Sequence, residues 1–261
     1  MRARYFASKN FRDGTIPNKV CPICESDKYA EDFIGDDTNW ARCMVCGSGF
    51  KMLMPTEEEE ADFYKHEYRM NNPNPGGPYP NVHNFRTQLI RSWRQFMLVA
   101  DLLIDIRSGL DIGCALGWNV NTMKFLGYEH YGVEPGEIDR QFARETLGLD
   151  LYASLEDLPD ISVDLVIMSH VLEHINDPVI YLTHIREKYM SDQGRILVEV
   201  PSQLAPSAWS SYHIIAFSPK GIANTFERAG FEVEKIIAEG ASKVYDRGLI
   251  WAVGKVKDGC G

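Results

Sequence analysis

Apolar residues Phe85, Leu89, Trp93, Phe96, Met97, Ala100, Leu103 and Ile104 recur at three- and four-residue steps, which predicts a long amphipathic helix from about residue 84. Short apolar runs bounded by turn residues follow it. Gly109–Gly113, His130–Glu134, Asp164–Met168 and Arg195–Val200 read as buried strands. Asn119–Phe125, Ile138–Leu147 and the segment after Asp177-Pro178 read as the helices between them. Ser218-Pro219 supplies a cap and a first-turn proline for one more helix, and Gly230 ends it. Phe231–Ile237 and Leu249–Val253 read as the last strands. Strands alternating with helices predict an α/β fold, a parallel sheet with helices on both faces. The pattern contains no internal repeat.

The chain before residue 84 is different. Residues 1–60 are short-patterned and polar, and read as a small accessory module. Thr56 caps a predicted short helix to Tyr68, with acids in its first turn. Four prolines between Asn71 and Pro80 exclude helix and central strand, so residues 61–83 read as a linker or a lid. Residues 84–261 form the main domain.

Composition narrows the class. The 261 residues are 44% hydrophobic and 25% charged, enough apolar content for a buried core. No apolar run is long enough for a membrane span, and the N-terminus has no apolar signal region. The net charge of −10 argues against a broad nucleic-acid footprint. Six cysteines without an export signal point to a reducing compartment, the cytoplasm. Four of them form Cys21-x2-Cys24-x18-Cys43-x2-Cys46, two tight turns that each aim a pair of sulfurs at one metal. Four protein ligands leave no open position, so the expected ion is a structural Zn2+. Cys114 reads as core and Cys260 as tail.

Asp111-Ile-Gly113-Cys-Ala115-Leu-Gly117 follows a buried strand and opens a helix, a turn that lets backbone approach a ligand. Glu134 ends the next strand, where an acid can take both hydroxyls of a ribose. Ala115 replaces the middle glycine of a pyrophosphate cradle, which favours a nucleoside without phosphate over NAD. In order, DIGCALGWN, YGVEP, DLVIMSHVLEHINDP, RILVEVP and FSPKGIANTFERAGFEV resemble the motifs of class I S-adenosylmethionine-dependent methyltransferases over residues 84–255. The resemblance implies a Rossmann-like sheet and S-adenosyl-L-methionine as cofactor. It implies Asp111, Gly113, Ala115 and Gly117 at the methionine end, and Glu134 with Pro135 at the ribose. It further implies Ser154 and Leu155 near adenine, and Ser169 and His170 facing cofactor and substrate. The four-cysteine module before this fold is similar to bacterial sugar and small-molecule methyltransferases. The implied partner is a small polar acceptor, with nucleic acid and membrane disfavoured.

Methyl transfer to a hydroxyl needs alignment and removal of a proton. His213, just before Phe217-Ser218-Pro219, is the candidate base, with Tyr212 orienting the acceptor and His170 touching it. A packing role for His213 stands beside this reading. Glu173 and His174 are expected to pin the local turn, and Arg86, Arg91 and Arg94 to sit on a solvated helix face. Two alternatives remain open, a zinc-containing ribosomal-RNA methyltransferase and a non-catalytic scaffold of the same fold. Ten acids against four bases in residues 18–60 weigh against the first. The intact ribose acid weighs against the second.

Overall fold

A computed structural model describes residues 16–34, 37–56, 82–101, 105–210, 213–238 and 248–257. The N-terminal part holds β1 (Ile16–Pro17), β2 (Tyr29–Ile34), β3 (Asp37–Cys43), β4 (Gly49–Lys51) and β5 (Leu53–Met54). The main part begins with helix α1 (Val82–Val99), then β6 (Ser108–Ile112), α2 (Trp118–Phe125), β7 (Glu129–Val133) and α3 (Glu137–Phe142). It continues through β8 (Val163–Ser169), α4 (Pro178–Tyr189), β9 (Met190–Pro201), β10 (Ile215–Ala216), α5 (Pro219–Arg228), β11 (Phe231–Ala238) and β12 (Leu249–Val256). The expected helix over 56–68 and nearly all of the 61–83 segment lie outside the described residues.

The main sheet runs β11-β12-β9-β8-β6-β7. β7, β6, β8 and β9 are parallel, as the alternating pattern predicts. The last two strands depart from it: β12 is antiparallel to β9, and β11 to β12. The reason is chain length. Only ten residues separate Ala238 from Leu249, too few for the crossover that parallel neighbours need. The helix starts follow their cap signals. Asp177 accepts from the Ile180 N–H at 2.9 Å, and Ser218 Oγ accepts from the Gly221 N–H at 2.8 Å.

Helix α1 is amphipathic in an unexpected sense. Ile90, Trp93 and Met97 are exposed, whereas Ser92 and Gln95 are buried. Its polar stripe lines the cleft at the sheet's carboxyl edge, while Phe96 packs against the buried cluster of Ile106, Leu165, Ile167 and Leu197. That placement makes the helix a wall of the candidate site.

The N-terminal part is tied into the main domain. β10, from the loop after β9, pairs antiparallel with β4 and completes a sheet ordered β10-β4-β3-β2. Cys21, Ile23 and Phe50 belong to the same buried cluster as Ile222, Phe226 and Phe231. Ser218 Oγ donates to the Cys46 carbonyl at 2.6 Å, and Ser48 Oγ accepts from the Ser218 N–H at 2.9 Å. Gly221 is required there, since a Cβ would stand 2.0 Å from Ser48 Oγ.

Candidate active site

The turn after β6 bends through left-handed backbone at Gly113 (φ 69°), Ala115 (φ 48°) and Gly117 (φ 80°). Ala115 accepts this strain, and its N–H is thereby turned to donate to Glu134 Oε2 at 2.8 Å. The Gly136 N–H donates to Glu134 Oε1 at 2.8 Å. Glu134 is thus a nearly buried carboxylate fixed by two backbone donors at the end of β7. Each oxygen keeps lone-pair capacity for a further donor, as a ribose diol would supply. Asp111, at the end of β6, is fully buried, and burial pushes its carboxyl up to about 8 despite a hydrogen bond from Asn119. A cationic group is what such a carboxyl best accommodates.

These residues line one cleft of about 940 Å³ outside the carboxyl ends of the parallel strands. Asp111, Gly113, Ala115, Glu134 and Pro135 form one end. Ser154, Leu155, Ser169 and His170 also line it. Gly117 does not. It caps α2, where a Cβ would stand 3.2 Å from Leu149 Cδ1, so its part is to make the turn. Just before Ser154, Tyr152 forms a single bridge with Val133.

A polar chain that sequence reading missed crosses the cleft floor. Ser92 Oγ donates to Asn119 Oδ1 at 2.5 Å, and Asn119 Nδ2 to Gln95 Oε1 at 2.5 Å. Gln95 Nε2 donates to Glu199 Oε2 at 3.2 Å, and Trp251 Nε1 to the same oxygen at 2.7 Å. Arg91 Nε stands 3.4 Å from Glu199 Oε1, so Arg91 belongs to the cleft and not to a solvated face. Ser169 Oγ donates to Glu199 Oε1 at 3.2 Å. The signal was present in Arg-Ile-Leu-Val-Glu-Val-Pro: a charge inside a buried strand has to be paired.

His170, in left-handed backbone (φ 56°), joins two acids. Its Nδ1 is 3.1 Å from Glu173 Oε1 and its Nε2 3.2 Å from Glu199 Oε1. Burial and Arg91 oppose its charge, but the two acids outweigh them and its pKa is raised. His213 lies behind this layer. Its Nδ1 is 3.1 Å from the Ala208 carbonyl and its Nε2 3.9 Å from Glu173 Oε1. Burial holds its pKa down at about 4, so the ring is neutral near pH 7. Glu173 and His174 sit in a short turn in which the His174 N–H donates to Val171 O at 3.0 Å, and His174 lines the cleft. Tyr212 lies outside the described residues.

A family model described as a methyltransferase domain matches residues 82–236, more than half of the chain. The chain belongs to the methyltransferase domain family. The comparison with curated proteins gives no match. Among solved structures, the methyltransferase resembles a SAM-dependent methyltransferase from Archaeoglobus fulgidus at 19% identity and TM-score 0.52, over 67% of this chain and 100% of that one. It also resembles magnesium protoporphyrin IX methyltransferase from Synechocystis PCC 6803 with bound SAH (14%, TM-score 0.55, 77% and 100%). A third is Burkholderia thailandensis 1,6-didemethyltoxoflavin-N1-methyltransferase with its substrate and S-adenosylhomocysteine (15%, TM-score 0.51, 70% and 94%). These likenesses speak for the fold. The family match makes the chain an S-adenosylmethionine-dependent enzyme, and the cradle around Glu134 fits that cofactor.

The methyltransferase carries its four N-terminal cysteines as one cluster. Cys21 and Cys46 Sγ are 3.6 Å apart, and Cys24 and Cys43 Sγ 3.5 Å. Four sulfurs at about 2.3 Å from one tetrahedral ion stand about 3.8 Å apart, so the spacing fits zinc. The thiols interact strongly. Cys46, accepting from Cys21, is drawn down to about 5, while Cys21 is pushed up by the same bond. Main-chain N–H groups of Val45 and Cys46 donate to Cys43 Sγ at 3.4 and 3.5 Å, as suits a thiolate. Cys114, by contrast, is a buried core residue. Among the described residues, no helix is long and apolar enough to cross a membrane.

Proposed function

We propose that this methyltransferase moves the methyl group of S-adenosylmethionine to a hydroxyl of a small polar acceptor, of the class of sugars, nucleotide-linked sugars or natural-product intermediates. The observation that carries the reading is the cleft. At about 940 Å³ it is at the upper end of ligand pockets, with room for the cofactor and a small second molecule. Asp111 takes the cationic amine of the methionine end, with Gly113 and Ala115 beside it. Glu134 takes the ribose hydroxyls, with Pro135 at its flank, and Ser154 and Leu155 border the adenine. Ser169 and His170 stand between cofactor and acceptor. The four cysteines hold a structural zinc, which keeps the thiols reduced and suits a cytoplasmic enzyme.

The protonated acceptor loses its proton at the centre made by Glu173, His174 and His213, with Tyr212 orienting the acceptor. Glu173 is an ionised buried carboxylate: burial alone would raise it, but the hydrogen bond from His170 holds it down at about 2. His213→Ala is expected to lower turnover about a hundredfold with cofactor affinity nearly unchanged. Full turnover in a single-turnover assay would place proton removal elsewhere.

The binding reading is tested by calorimetry on the zinc-loaded protein. S-adenosylmethionine and S-adenosylhomocysteine are expected to bind and NAD is not. Glu134→Ala is expected to weaken both by at least tenfold, because it removes the ribose acceptor and strands the Ala115 and Gly136 N–H groups. Equal affinity in the variant would remove Glu134 from the cofactor site.

A further inference from the structure

We propose that Glu173, His174 and His213 form a binding site for a divalent first-row transition-metal cation at the acceptor end of the cleft, separate from the four-cysteine cluster. One ligand atom from each of the three lies within 4.8 Å of the other two. Two ligands sharing an ion at about 2.1 Å stand between about 3 and 4.2 Å apart, so a side-chain adjustment below about 1 Å closes the site. The residues come from two elements, Glu173 and His174 from the turn after β8 and His213 from the loop before β10.

Two further observations point at a missing positive charge. The first is Glu173 itself. It is fully buried, its Oε1 faces His170 Nδ1, and its Oε2 has no hydrogen-bond partner among the described residues. A buried carboxylate oxygen with no donor is costly unless something cationic meets it. The second is the tautomer of His213. A carbonyl can only accept, so the contact to Ala208 O puts the proton on Nδ1. The bare Nε2 lone pair then faces the Glu173 carboxylate at 3.9 Å, too far for a hydrogen bond and repulsive without a cation between. A metal-ligating histidine commonly shows this same anchorage, its other nitrogen donating to a main-chain carbonyl. His170 completes the pattern from outside, orienting the carboxylate through Oε1.

Two imidazoles and one carboxylate suit Zn2+, Fe2+, Mn2+ or Co2+ better than Mg2+ or Ca2+. Three protein ligands leave open positions, and of the three His174 lines the cleft. The consequence for catalysis rests on the methyl-transfer reading. An acceptor hydroxyl on the ion would lose its proton to solvent, the methyl would pass to that oxygen, and S-adenosylhomocysteine would leave. His213 would then serve proton removal as a ligand and not as a free base.

The test titrates the zinc-loaded full chain with Co2+, without acceptor. Expected is one added equivalent with a ligand-field spectrum that lacks sulfur-to-metal charge transfer. His213→Ala and Glu173→Gln are each expected to weaken uptake at least tenfold, while S-adenosylhomocysteine affinity, measured on the same samples, reports that both variants are folded. The proposal is overturned if the wild type takes up no cobalt at millimolar concentration. It is equally overturned if the bound cobalt shows the sulfur charge-transfer band, or if both variants bind as the wild type does. Cobalt uptake without any cofactor binding would leave the site standing and sink the methyl-transfer reading.

Discussion

On the proposed zinc reading, replacing Cys43 by serine is expected to abolish zinc uptake and to unfold residues 16–34 and 37–56 while loosening the main domain next to them. Apparent binding free energies of about 10–16 kcal/mol are typical of structural zinc in small modules, and in such modules binding is folding. The strands of the N-terminal part are short, β1 and β5 of two residues each and β4 of three, so its other support is the sheet with β10 and the buried cluster shared with the main domain. The damage then has a defined route. Cys46 O accepts from Ser218 Oγ, which also caps α5, and Val45 O accepts from Lys220 Nζ at 2.9 Å. β4 carries β10, and the Lys51 N–H donates to Ile214 O at 2.9 Å, directly after His213. Trp209 in the same loop packs edge-on against Trp40, ring centres 5.1 Å apart. The module is therefore a clamp on the loop that carries His213. Hydrogen exchange should show lost protection at residues 213–222 as well as at 16–56, and elemental analysis should show no zinc. Unchanged protection with zinc absent would mean that the sulfurs pack without metal and that the clamp is apolar contact alone.

What the sequence made legible followed local chemistry. The C-x2-C pairs, the Ser218 cap, the helix start after Asp177-Pro178 and the turn from Asp111 to Gly117 each express themselves within a few residues, and the structure has them where the pattern puts them. Long-range pairing was illegible. Nothing near Ile215 says that it crosses to Phe50, because a two-residue strand has no period to read. The pattern showed α1 as an amphipathic helix but not which side lines the cleft, where Ser92 and Gln95 are buried while Trp93 and Met97 are exposed. Glu199 carried a readable signal, an acid between valines, but its partners lie on three other elements, α1, β8 and β12, and on the turn after β8.

Glu199→Ala is the second large effect, and it separates scaffold from chemistry. The carboxylate is 1% exposed and serves Trp251, Gln95, Ser169, His170 and Arg91 together. Burial alone would raise its pKa, yet the hydrogen bond from His170 and the charges of His170 and Arg91 hold it at about 2 against an ordinary 4.5. Because the folded value is the lower one, its contribution is fully present above pH 4.5 and is lost as pH falls toward 2. Removing it leaves His170 and Arg91, whose side chains are 23% and 31% exposed at the cleft, without their carboxylate. Breaking a buried pair costs about 3–5 kcal/mol, and the partial exposure of these two partners puts the loss toward the lower figure, on the order of 10 °C in melting temperature for a chain of this size. The variant should also lose part of the wild type's decline in stability between pH 4.5 and 2, since that carboxylate no longer takes up a proton on unfolding. Cofactor affinity should fall with it, because Gln95 and Asn119 lose the anchor that aligns them beside Asp111. A melting curve within about 1 kcal/mol of wild type at neutral pH would mean that water in the cleft replaces the carboxylate for Arg91 and His170, and the chain of contacts across the cleft floor would then carry little stability.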